Sequence, residues 1–109
     1  MVDSASSDSL RVEVDVNGTI IVHGDIDIAG GPILEDALRA AQQTNKQVII
    51  DLRDVSFIDS SGLRSLLNAS RRATEQSSHI VLREVGPEVT RLLEITGTTQ
   101  RFSIESEGG

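Results

Sequence analysis

Residues 48–67 read VIIDLRDVSFIDSSGLRSLL, and this stretch decides the fold. Val48-Ile49-Ile50-Asp51-Leu52 is a short, nearly continuous apolar run, which predicts a central strand covered on both faces. A short loop follows over residues 53–59. Asp59-Ser60-Ser61-Gly62 then opens a helix whose inner positions Leu63, Leu66, Leu67, Ser70 and Ala73 recur at helical spacing. Arg64, Arg71, Arg72 and Glu75 are expected on its outer side.

The flanking sequence extends this strand–helix alternation. Upstream, Leu10, Val12, Val14 and Val16 alternate with Arg11, Glu13, Asp15 and Asn17, the period of a strand with one wet face. Asn17-Gly18 is a two-residue hairpin signal, and residues 19–23 form the return strand. Glycines mark residues 24–31 as a loop. Pro32 suits a first helical turn, with Ile33, Leu34, Ala37, Leu38 and Ala41 on one face and Glu35, Asp36 and Arg39 outside. Downstream, residues 79–85 read as a strand and Gly86-Pro87 starts a third helix through Val89, Leu92, Leu93 and Thr96. Gly97 suits its terminator, and residues 102–104 form a last short strand. The order is β-β-α-β-α-β-α-β. This predicts an α/β fold: a single mixed sheet opening with an antiparallel hairpin, then parallel strands with helices packed on the sheet. Residues 1–9 and 105–109 read as flexible tails around one domain, 10–104.

Composition narrows the function. The chain has 109 residues, with 10 basic and 17 acidic side chains and a net charge of −7. An acidic domain of this size neutralises few phosphates, which argues against nucleic acid and anionic membrane surfaces. A basic protein partner fits better. Cysteine is absent, which removes disulfides, thiol catalysis and cysteine-ligated zinc. Only Phe57 and Phe102 are aromatic, so the core is aliphatic. The start of the chain has no signal-peptide pattern and no run long enough to span a bilayer. A cytoplasmic protein is expected.

Asp59-Ser60-Ser61-Gly62 carries the chemistry. Asp and Ser are good N-caps, so one reading is that Asp59 or Ser60 only closes a helix. Two adjacent hydroxyls exceed what one cap needs. A helix start also favours negative charge, so a phosphate on Ser60 or Ser61 is compatible with the fold. Gly62, lacking Cβ, permits close approach.

Phe57-Ile58-Asp59-Ser60-Ser61-Gly62-Leu63 resembles the signature of STAS domains, specifically bacterial anti-sigma factor antagonists. Gly24-Asp25-Ile26-Asp27 resembles their upstream loop, and Val85-Gly86-Pro87 their turn before the third helix. The likeness spans about residues 10–104. It implies a partner-switching protein that binds an anti-sigma factor serine kinase carrying ATP and so frees a sigma factor. Phosphorylation of Ser60 ends that binding, and a serine phosphatase restores it. It further implies that Asp59, Ser61, Gly62 and Leu63 lie on the partner surface, with Asp27 the loop aspartate beside the acceptor. From the residues alone, Asp25 and Asp27 either join that surface or only solubilise and turn their loop. Arg64, one turn from Ser60, is the best candidate beside them. The alternative is a non-switching STAS scaffold subunit of a transporter or stress-sensing assembly.

Enzyme readings fare worse. A serine hydrolase elbow needs Gly where Ile58 stands. A phosphate receiver built on Asp51 needs a distant lysine, and the only lysine is Lys46, just before the strand. No P-loop is present. Asp51 and Asp54 are expected to end a strand and shape a turn, and His23 and His79 to be ordinary surface residues or satisfied ones. No catalytic residue, metal ligand or cofactor is expected.

Overall fold

The structure, a computed structural model, describes residues 10–105. The order is β1 (Arg11–Val14), β2 (Ile20–His23), α1 (Gly31–Thr44), β3 (Gln47–Asp54), α2 (Ser60–Glu75), β4 (His79–Arg83), α3 (Pro87–Thr96) and β5 (Ser103–Glu105), with a 3-10 turn at Thr99–Arg101 before β5. The mixed α/β architecture read from the sequence is the one observed. The tails expected at 1–9 and 105–109 lie outside the described residues, except Glu105, which is not tail: it ends β5 and pairs with Arg83.

The sheet runs β1-β2-β3-β4-β5, with only β1–β2 antiparallel. Strands added in one direction by right-handed crossovers place every helix on the same face. Ile20, Val22, Val48, Ile50, Leu52, Ile80 and Leu82 point into that face. They form one core with Leu34 and Leu38 of α1, Leu63, Leu66, Ala69 and Ala73 of α2, and Val89 and Leu93 of α3. The expectation that β3 is covered on both faces is therefore corrected. Its apolar run is interrupted by Asp51, which lies on the face without helices, in register between Ile21 and Arg83.

The hairpin also differs from its sequence signal. The Gly18 N–H bonds to the Asp15 carbonyl at 3.0 Å and Gly18 adopts φ +85°, so Val16-Asn17 are the central turn residues. The Asp15 carboxylate fixes the loop by accepting from the Asn17 and Thr19 N–H groups. The resulting register pairs Val12 with Val22 and Val14 with Ile20. A two-residue loop would have set Val12 against His23 and put apolar and polar faces out of phase. Leu10 is buried and Val12 half-buried, but Val14 and Val16 run past the helices into solvent.

Arg72 and Glu35, both expected outside, instead form the seam between α1 and α2. Arg72 Nη1 donates to Glu35 Oε2 at 2.9 Å and its Nε to Gln42 Oε1 at 3.0 Å. Gln42, itself buried, donates to the Ala69 carbonyl at 2.9 Å. Their spacing does place them on the rims of their helices, but the two rims meet.

Candidate functional site

Two loops at the carboxyl ends of β2 and β3 are joined by backbone. The Ile26 N–H donates to the Phe57 carbonyl at 3.0 Å, and the Asp59 N–H donates to the Ile26 carbonyl at 3.1 Å. Ile26 and Ile58 form an isolated parallel bridge, and both side chains are buried. Asp27 and Asp59, each one residue past the bridge, are thereby brought level. Beneath them Gly62 is pressed against the same strand of chain: a Cβ there would lie 2.4 Å from the Ile26 oxygen and 2.5 Å from its Cγ2. Glycine is required by space, not by φ.

Asp59 is the N-cap of α2. Its carboxylate accepts the Gly62 N–H at 2.9 Å, and its carbonyl accepts the Leu63 N–H at 2.9 Å. Capping therefore falls to Asp59 and leaves Ser60 free. Ser60 is the first residue of the helix, it is exposed, and its hydroxyl has no hydrogen-bond partner among the described residues. The Ser60 and Ser61 N–H groups are likewise without partners there, as the first turn of a helix leaves them. Ser60 thus meets the positive end of a 16-residue helix.

The other predicted residues divide by exposure. Asp27 turns back on its own loop: its carboxylate accepts the Gly30 N–H at 3.0 Å and its carbonyl accepts those of Gly30 and Gly31. These bonds close the turn that leads into α1, whose own N-cap, Gly30, has no side-chain cap. Asp25 is half-buried, with no side-chain bond among the described residues. Gly62 and Leu63 are buried, so they shape the surface from below. Ser61 is half-buried and Arg64 exposed. Ser61 and Arg64 line an open groove of about 510 Å³ between the starts of α1 and α2, with Ile28, Pro32, Asp36 and Arg39 opposite.

Two features escaped the sequence. Ile28 and Phe57 are large apolar side chains left 73% and 49% exposed on the joined loops. The signal for Ile28 was available, since it lies in a glycine-bounded loop and belongs to neither helical nor strand periodicity. His23 is also more than an ordinary surface residue. Its Nδ1 lies 2.7 Å from Asp54 Oδ2 and its Nε2 2.7 Å from Glu13 Oε1. Only imidazolium can donate at both nitrogens. Its pKa is raised above 6.5, chiefly by the Glu13 bond and then by Asp54, against desolvation and the nearby Arg11 charge. An irregularity in the β2–β3 register sets His23 opposite Asp54. Among the described residues no cluster of His, Asp and Glu could hold a metal ion, and no helix is long and apolar enough to cross a membrane.

A family model described as Mlab, STAS domain matches residues 9–104. The chain belongs to the STAS family. This STAS domain is 29% identical over 106 residues to the anti-sigma-B factor antagonist of Bacillus subtilis (strain 168), covering 93% of this chain and 97% of that protein. It is 34% identical over 91 residues to the anti-sigma-B factor antagonist of Listeria monocytogenes (serovar 1/2a), covering 83% and 80%. The solved structure of the Bacillus cell fate determinant SpoIIAA in its phosphorylated form shares the fold at a TM-score of 0.65 and 18% identity, over 91% of this chain and 93% of that one.

Proposed function

We propose that this STAS domain is an anti-sigma factor antagonist, switched by phosphorylation of Ser60. Its partner is an anti-sigma factor that is also an ATP-dependent serine kinase, and binding releases a sigma factor. The observation that carries this reading is the free, exposed Ser60 hydroxyl beside a cap already supplied by Asp59. The names of the Bacillus and Listeria relatives support the partner class.

In the modifying step the Ser60 Oγ attacks the γ-phosphorus of ATP held by the kinase. The Oγ–P bond forms, the bond to the β,γ-bridging oxygen breaks, ADP leaves, and the hydroxyl proton passes to a base of the kinase. The product adds roughly −1.5 to −2 charges at pH 7. The dipole of α2 tolerates that charge within the free domain. Against the kinase and its nucleotide phosphates the same charge is repulsive and costly to desolvate. Affinity falls without refolding. A serine phosphatase restores the hydroxyl.

Incubation with the anti-sigma kinases of the same genome and ATP tests the reading by intact mass. One phosphate is expected, abolished by Ser60→Ala and retained by Ser61→Ala. Ser60→Ala keeps kinase binding and Ser60→Asp loses it. Failure of every such kinase to phosphorylate the chain, with Ser60→Asp binding as wild type does, overturns the switch and leaves a scaffold.

A further inference from the structure

Arg64 follows Ser60 by four residues on α2, so the two side chains occupy one face, one turn apart. Both are exposed. Long side chains on a helix lean toward its N-terminus and cover the preceding turn, which here is the turn bearing Ser60. An acid four residues before a base is also the favourable order for a helical ion pair. Arg64 has no ion pair among the described residues. The acids that line the groove do not hold it: Glu35 is already bound by Arg72 and approached by Arg39, and Asp36 forms no salt bridge among the described residues. Arg64 instead lines the groove beside Ser61, Ile28 and Pro32.

We propose that phosphoserine at position 60 captures the Arg64 guanidinium as an intramolecular clamp over the first turn of α2, withdrawing it from the groove between α1 and α2. This rests on the phosphorylation reading and deepens it. The switch then has two parts, a negative charge gained at Ser60 and a positive charge removed from the groove. The planar guanidinium offers paired donors that match two phosphate oxygens, whereas lysine offers a point charge. The free Ser60 and Ser61 N–H groups hold the phosphate from the helix side while Arg64 closes over it from the solvent side.

The test installs phosphoserine at position 60 during synthesis, so no kinase is required and failure of the clamp is separable from failure of the phosphorylation reading. Phosphorus NMR follows the second ionisation of the phosphate in phosphorylated wild type, Arg64→Gln and Arg64→Lys at low salt. The wild-type midpoint is expected about half a unit below that of Arg64→Gln, with Arg64→Lys between them. The Arg64 Nε–H resonance shifts on phosphorylation in the same titration window. Coincident midpoints in wild type and Arg64→Gln, or an Arg64 resonance indifferent to the phosphate, overturn the clamp. Circular dichroism of each variant checks that α2 is intact.

Discussion

Arg64 and Arg72 lie two turns apart on the same helix and do opposite things. Arg72 is 18% exposed, tied to Glu35 and Gln42 across the seam with α1, with its Nη2 buried and without a partner among the described residues. Arg64 stands in solvent with no ion pair among the described residues. The difference lies in what faces each residue. Where α1 and α2 touch, a charged group must be matched or it destabilises the fold. Where the helices part at the joined loops, the Ser60 hydroxyl and the Arg64 guanidinium have no partner among the described residues. Under the proposed function, structural and binding roles are thus divided along the length of α2.

Substitutions can break that division, beginning with the floor of the site. Gly62→Ala drives a methyl group into the Ile26 carbonyl and side chain. About 3 kcal/mol of stability should be lost, measured by urea denaturation. An unchanged midpoint would mean that the joined loops are loose. Arg72→Met removes the bonds from Arg72 to Glu35 and Gln42 and should cost about 2 kcal/mol, less than a fully buried pair because the groups retain some solvent and Glu35 keeps Arg39 nearby. Adding Glu35→Met should recover part of that loss, and no recovery would mean that Arg72 acts by packing alone. Asp59→Ala removes the α2 cap and should cost about 1 kcal/mol. Ser60→Asp, by contrast, should change stability by less than about 0.5 kcal/mol while abolishing kinase binding. A large stability change there would place Ser60 with the structural half of the helix.

The smallest effect concerns His23. Its pKa is raised in the folded state, so its contribution to stability is complete below pH 6.5 and is lost as pH climbs through the raised value. The thermal midpoint of wild type should therefore fall relative to His23→Gln over that window. Parallel pH profiles would show that the Glu13–His23–Asp54 bridge contributes nothing.

Much of this was legible in the sequence. The order of elements followed from two periodicities and a few glycines, because burial alone sets those patterns. The Asp59-Ser60-Ser61-Gly62 segment marked itself by chemistry. The hairpin register did not: Asn17-Gly18 fits two loop lengths, and only the need to align Val12 with Val22 chooses between them. Arg72, Glu35 and Gln42 were illegible for a related reason. Periodicity reports which rim of a helix a residue occupies, but not whether another helix lies against that rim. The role of Gly62 was visible as permission and not as requirement, since the Ile26 oxygen that excludes a side chain lies 36 residues earlier in the chain.

The backbone stitch between Ile26 and its neighbours Phe57 and Asp59 bears on tolerance to substitution. Main-chain bonds do not depend on which side chains surround them. Ile28, Phe57, Ser61 and Arg64 can therefore be exchanged over generations while the platform keeps its shape. Variation at these four positions changes what the platform offers while its frame stays as it is.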